Sequence, residues 1–384
     1  MPNQLPTLDE LRPRLQIQPI NTGQVFNYRG IVSNNDEGLH GITNRQGKLE
    51  ISSGIEMPFY MYRGQTEEFK PCLPTLGRIK KSSLILLSLC RTVAFEDVLG
   101  EHPFVKKAEN TKFLNCPLNV DRNGLAQHYG LLTDLIDVTS NFDIASFFAV
   151  CRRDNQFQTY LPIRSASKPG VIYRISPFHL MTSPSFDEKE DVFKFMGWQP
   201  LHRPEQQRAC GIRLRKGQDF AHLHSVQMIH FKHSPEISER IWNSFDQGRM
   251  LFPPDPAADL ANQALVLKEF TRKQIDMALI RLENWKERTY NSKKRRQMEK
   301  QEKIQVVTKP VLSWDGLNVE KDEQELQQDL KHILEKVRIR RVMYPNTKTL
   351  GSETVLDLGT GKLLQTHKTE IGTVCGVLQE GGGV

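Results

Sequence analysis

The sequence predicts an α+β fold: a mixed, mostly antiparallel sheet core with surrounding helices, followed by a helical, basic C-terminal extension. Three observations carry this reading. Short runs rich in β-branched and aromatic residues, at Phe59–Gln65, Leu135–Thr139, Val171–Ile175 and Val226–Phe231, have strand length and are bounded by turn chemistry. Between them lie segments with helical spacing, notably Ser82–Leu99 and Asn141–Val150. Beyond Ala257 the pattern becomes helical and increasingly basic.

Taken in order, residues 1–50 alternate turn signals (Asn34-Asn35-Asp36, Gly41, Gln46-Gly47) with strand-like pieces such as Gln24–Tyr28, which predicts a β-rich extension. Residues 51–262 form the main domain. Its first strand, Phe59–Gln65, ends in Arg63-Gly64, and an arginine closing a core strand needs a partner, because an unpaired buried charge is costly. Pro71–Arg78 is a proline-punctuated loop. The helix over Ser82–Leu99 is expected to turn Leu84, Leu87 and Phe95 to the core. After Val150, strands at Val171–Ile175 and Val226–Phe231 flank a polar run, His202–Gln207, that leads into a further strand, and Ile237–Phe245 reads as a short helix. Residues 263–342 are predicted helical and basic, with Lys286–Lys303 an exposed helix or linker and Glu323–Val342 a second helical piece. Residues 343–384 form a Gly/Thr-rich tail.

The chain has 384 residues, enough for one large domain with extensions or for two domains. At 38% hydrophobic residues it is globular, and no run approaches the roughly 20 apolar residues of a membrane span. No basic-then-apolar opening signals export. The six cysteines are scattered, with no CxxC spacing and no His/Cys cluster of zinc type, so the expectation is a reducing, cytoplasmic setting and no structural metal. Much of the net charge of +7 lies in Lys293–Arg296 and Arg338–Arg341. Such clusters are solvated faces or sites for an anionic partner such as nucleic acid.

The densest stretch is Leu125–Val150. It holds Gln127, His128 and Tyr129, a glycine turn at Gly130, the strand Leu135–Thr139, and a segment with Ile144, Phe147 and Phe148 at helical spacing. Thr139 and Ser140 therefore stand where a strand becomes a helix, a junction whose free amides suit a polar or anionic ligand. They serve equally well as caps of a core helix, with Ser140 or Asn141 as the N-cap. Asp137 could act as a base, orient His128, or cap the local turn.

Several motifs recur together. They are Tyr60–Gln65 with Leu73–Leu76 and Arg78; the Gln127–Gly130 element with Thr133, Leu135 and Asp137; Ala145, Phe147, Phe148 and Ala149; Arg203-Pro204 with Gln207; and Leu251–Pro253. Over roughly residues 55–265 the chain thereby resembles the FRG domain family. The same skeleton looks like the Arg…Ser…Glu type of ADP-ribosyltransferase. That resemblance implies NAD as substrate, with Arg63 and the adjacent Gly64 on its phosphates, Thr139 and Ser140 supporting the nicotinamide ribose, and Gln127, His128 and Tyr129 lining the nucleotide. It also implies a bacterial effector of toxin or anti-phage type acting on a macromolecular acceptor.

At the third position of that skeleton stands Gln207, with Glu205 two residues earlier and on the same face if the segment is extended. A glutamine brings no negative charge to an oxocarbenium-like transition state. Transfer using Glu205, NAD hydrolysis, and a catalytically silent module that binds a nucleotide or nucleic acid through the basic C-terminal helices all remain open. Two look-alikes are set aside. Tyr28-Arg29-Gly30 lacks the companions of Arg63, and Val355–Gly361 has too little chain after it for a βαβ unit, so it reads as a hairpin turn. The site reading makes one geometric demand: Arg63, Ser140 and Gln207 must converge in one cleft, with His128 at its edge.

Overall fold

The helix Ser82–Leu99 shows how the core is organised. Its sequence has no Gly or Pro, and fourteen of its side chains are buried around its whole circumference. A helix apolar on all sides must be packed on all sides. Leu87 and Phe95 are interior as predicted, whereas Leu84 is 41% exposed although its neighbours Ser83 and Ile85 are buried.

A computed structural model describes residues 5–15, 39–43, 48–53, 60–113, 116–154, 159–177, 180, 192–315, 337–342, 353–357 and 362–364. In chain order the first elements are α1 (Leu8–Leu15), β1 (Leu39–Thr43), β2 (Leu49–Ser53), β3 (Met61–Gln65), α2 (Ser82–Leu99), α3 (Pro103–Asn110), β4 (Lys112–Phe113) and β5 (Cys116–Pro117). The central part follows with α4 (Arg122–His128), β6 (Leu135–Thr139), α5 (Phe142–Val150), β7 (Cys151–Asp154), β8 (Thr159–Pro162), β9 (Gly170–Ile175) and β10 (Phe193–Phe195). Next come α6 (Arg203–Gln206), β11 (Ala209–Arg213), β12 (Val226–Phe231), α7 (Pro235–Ser244) and α8 (Pro256–Val266). The last elements are β13 (Glu269–Thr271), α9 (Arg272–Lys286), α10 (Ser292–Gln301), β14 (Gln305–Val307), β15 (Val337–Val342), β16 (Glu353–Asp357) and β17 (Lys362–Leu364).

The main sheet has six strands in the order β10-β11-β6-β3-β9-β12, and every neighbouring pair is antiparallel. Alternation along the strands separates its two faces. Met61, Ile136, Val138, Tyr173 and Ile212 enter one apolar cluster with Phe220. Tyr62, Ile172 and Phe231 enter another, with α1, α5 and α7. Gly64 lets α5 come close: a Cβ there would lie 1.8 Å from the Ala145 carbonyl oxygen. A third cluster joins α2 to α4, α8, α9 and α10.

Three sequence expectations are corrected. The N-terminal extension is not wholly β, since Leu8–Leu15 is helical, with Leu8, Leu11 and Leu15 buried at i, i+3, i+7 spacing. The end of the second helical piece, Val337–Val342, is a strand paired parallel to β1, so the Arg338–Arg341 charges ride on a sheet and not on a helix. Its alternating Val-Arg-Ile-Arg pattern has the period of two that a strand requires. The third correction concerns the 203–207 segment and is given with the site. β16 pairs antiparallel with β17, and the glycine-containing residues 358–361 between them lie outside the described residues. β1 and β2 join β15, β16 and β17 in one five-stranded sheet, so strands from both ends of the chain share one unit. The expected strand Gln24–Tyr28, the Arg29 look-alike and residues 323–336 lie outside the described residues. Among the described residues, no helix is long and apolar enough to cross a membrane.

Candidate functional site

The site begins where the main sheet opens. β6 is paired with β11 along its whole length, Leu135 to Thr139, but meets β3 at a single position, Tyr62 opposite Thr139. Backbone groups along that seam lack ladder partners and must be satisfied otherwise. Arg63 does this: its Nη1 donates to the Asp137 carbonyl oxygen at 2.8 Å. The Arg63 Nε is buried and has no protein partner among the described residues. Arg78 lies within electrostatic reach, and burial followed by the charge of Arg63 holds its guanidinium below the ordinary arginine range. The two guanidinium groups together make this end of the seam electropositive.

The Asp137 carboxylate accepts from Gln127 Nε2, and Gln127 Oε1 accepts from the Thr133 hydroxyl. Gln127 is thus clamped at both ends. It comes from α4, whose N-cap Asp121 accepts from the Gly124 amide at 3.0 Å and from Lys194 Nζ at 3.0 Å. Burial alone would raise the Asp121 pKa, but Lys194 and the Gly124 amide outweigh it, and the carboxyl is held below its usual value. Asp137 does not orient His128; its partners are Gln127 and Arg63.

His128, at the last position of α4, reaches Gln207 instead, with Nδ1 3.0 Å from Gln207 Oε1. Both side chains are 7% exposed. Gln207 Nε2 donates to the Leu251 carbonyl oxygen at 3.0 Å, which fixes which end of the amide faces the imidazole. The backbone carbonyl of Gln207 accepts from the Thr139 hydroxyl at 2.8 Å, and that hydroxyl also accepts from the Asn141 amide at 3.1 Å. Gln207 is delivered by α6, a single turn started by Pro204 at its first positions, and the chain then leaves through Arg208 at φ +44°. Here lies the third correction: the segment is helical, not extended, and residues two apart on a helix do not share a face. Glu205 therefore does not stand beside Gln207.

The remaining predicted residues separate. Ser140 is half-buried at the β6–α5 turn, its amide 3.4 Å from the Arg208 carbonyl oxygen, while Asn141 is the N-cap of α5 through bonds from Asp143 and Ile144 amides at 2.8 and 3.0 Å. Tyr129 points into the core beside Phe95, its hydroxyl on Asp255, as a packed residue with a satisfied polar end. Gly64 faces the backbone of α5. Two sets of contacts result, Arg63 with Asp137 and Gln127, and His128 with Gln207 and Thr139, joined by the succession of Gln127 and His128 on α4; Ser140 belongs to neither, so the demanded convergence of Arg63, Ser140 and Gln207 is not met at Ser140.

The sequence reading gave no role to several neighbours. Arg203 lies over the Tyr129 ring at 4.4 Å and reaches the His128 carbonyl oxygen at 3.5 Å. Tyr160 and Phe252 stack at 4.9 Å with rings only 13° from parallel, and Phe148 meets both edge-on. Burial pushes the Tyr160 hydroxyl up to about 12, offset by Arg153 and Arg203 and reinforced by Asp137 and Cys151, which places the stack in the electrostatic neighbourhood of the seam. Arg203 and Phe252 belong to quoted motifs, so their presence was visible in the sequence although their contacts were not. Among the described residues, no group of three or more His, Cys, Asp or Glu could hold a metal.

Comparison with protein families finds the FRG domain model matching residues 59–158, from just before β3 to just before β8. No curated protein and no solved structure matches the chain.

Proposed function

Proceeding from the FRG domain present at residues 59–158, we propose that this chain binds NAD and cleaves its nicotinamide glycosidic bond, as an ADP-ribosyltransferase-like or NAD-hydrolysing effector in toxin or anti-phage defence. The observation that carries the reading is the opened seam. Arg63 is anchored there on Asp137 with Nε uncommitted, Asp137 also holds Gln127, and the next residue of α4, His128, is held by Gln207.

In this reading Arg63, with Arg78 near it, holds the phosphates, since guanidinium groups match phosphate geometry. The half-buried Tyr160–Phe252 stack offers a flat apolar face to a heterocycle. Thr139 and Ser140 lie at the strand-to-helix junction, where the ribose is held. Cleavage develops positive charge on the ribose, which oriented oxygen atoms stabilise. Gln207 is neutral and its amide is committed at both ends, so it acts through what it positions.

Incubation of the full chain with NAD, following free nicotinamide, tests the reading. Release by the wild type that falls about 100-fold or more in Arg63→Ala is the expected result. No release, together with no thermal shift on adding NAD, overturns it. A second reading, a silent nucleotide- or nucleic-acid-binding module, is favoured by the uncharged Gln207 and by the exposed Lys293, Lys294 and Arg296 on α10. It predicts binding without turnover, and nucleic-acid affinity that falls steeply with salt.

A further inference from the structure

We propose that His128 is the proton acceptor of this site and that Gln207 is the residue that positions it, an assignment that rests on the NAD-cleaving function proposed above. The argument turns on which imidazole nitrogen carries hydrogen. Gln207 Nε2 donates to the Leu251 carbonyl oxygen at 3.0 Å, so the end of the amide facing His128 is Oε1, which only accepts. His128 Nδ1 therefore donates, and in the neutral ring Nε2 carries the lone pair. That Nε2 is buried and has no protein partner among the described residues, although the histidine as a whole is 93% removed from solvent. Leaving a buried acceptor unpaired is costly. A nitrogen held in one tautomer at such a cost, on the residue that follows the clamped Gln127, is built to meet a hydrogen that the substrates bring.

The nucleophile is water or an acceptor hydroxyl. Its oxygen forms a bond to C1′ of the nicotinamide ribose, and the C1′–N bond breaks with its electron pair returning to the pyridine nitrogen. Nicotinamide thus leaves uncharged. The nucleophile's proton passes to His128 Nε2, and the resulting imidazolium keeps its Nδ1–H on Gln207 Oε1. The geometry gives Gln207 the work of a tautomer lock in place of a charged transition-state partner. This accounts for a glutamine at that position: it accepts from Nδ1 on one side and is itself fixed by a backbone carbonyl on the other.

The test combines turnover with a readout that needs no turnover. In histidine-selectively ¹⁵N-labelled wild-type chain, the His128 resonances should show the Nδ1–H form, and Gln207→Ala should lose it. Nicotinamide release should drop about 10²- to 10⁴-fold in His128→Ala, with the NAD-induced thermal shift retained and with added imidazole restoring part of the rate. Gln207→Glu, which keeps an acceptor toward Nδ1 but has no donor for the Leu251 carbonyl oxygen, should fall short of wild-type release. An Nε2–H tautomer in the wild type, or wild-type release by His128→Ala, overturns the proposal. Absence of release by the wild type is a different result, which overturns the functional reading and the proton transfer with it.

Discussion

The strand Leu135–Thr139 has two unlike edges. Toward β11 it is laddered at all five residues, whereas toward β3 it touches at Thr139 alone. The closed edge is a continuous backbone network, and it continues outward to β10, where Lys194 ties the sheet to the N-cap of α4. On the open edge, hydrogen bonding passes from backbone to side chains, with Arg63 taking the Asp137 carbonyl oxygen. The contrast teaches that the sheet gives up ladder bonds where it needs side-chain chemistry, and that the closed half supplies the rigidity that makes this affordable.

Each half can be broken separately. The largest effect is expected for Gly64→Ala on the open side, because the new Cβ would meet the Ala145 carbonyl oxygen and either strand or helix must move. A loss of about 3 kcal/mol or more is expected in chemical denaturation. Asp121→Ala attacks the closed half, removing the cap of α4 and stranding Lys194, whose side chain is only 18% exposed. About 2–3 kcal/mol should be lost, somewhat less than for a fully buried pair. Because the folded-state pKa of Asp121 is depressed, its contribution is complete above the ordinary aspartate value of about 3.9 and disappears as pH falls through that value toward the folded one. Stability measured against pH should therefore decline less on acidification in Asp121→Ala than in the wild type.

Arg63→Ala should cost about 1–3 kcal/mol for the orphaned carbonyl, a smaller stability loss joined to the large loss of nicotinamide release. Thr139→Val, at the one point where the two edges meet, removes the bond to the Gln207 carbonyl and should cost about 1 kcal/mol. Replacing Lys293, Lys294 and Arg296 together by Ala, far from either edge, should change stability by about 0.5 kcal/mol or less and leave nicotinamide release unchanged. Loss of nucleic-acid affinity in that variant, with no nicotinamide release by the wild type, would favour the nucleic-acid reading.

The parts of the molecule legible in the sequence are those governed by local periodicity. Ser82–Leu99 matches the predicted helix at both ends, and the strands Leu135–Thr139 and Val226–Phe231 match likewise. Local period misled where charge density masked alternation, as in Val337–Val342, and where one turn of helix opened with Arg-Pro and read as extended. Of the candidate site, the residues were visible as motifs but their pairing was not. His128 and Gln207 are 79 positions apart, and the choice between Asp137 and Gln207 as the partner of His128 depends on strand register and on the Leu251 carbonyl. No single-sequence pattern encodes those. Glu205 stayed in contention only because the segment's conformation was unknown.

The parallel pairing of β1 with β15, Leu39 opposite Val337, has a consequence for the order in which the protein is made. A ribosome adding about 5–20 residues per second needs on the order of 15–60 s to travel between those two strands. Through that interval the newly made Leu39–Ser53 ribbon carries an open row of amides and carbonyls, the kind of edge that recruits a neighbouring chain. The second sheet is therefore sealed last, by a strand synthesised long after the six-stranded sheet has had time to fold, and shortened chains ending before Val337 should be recovered as aggregates more often than the full-length protein.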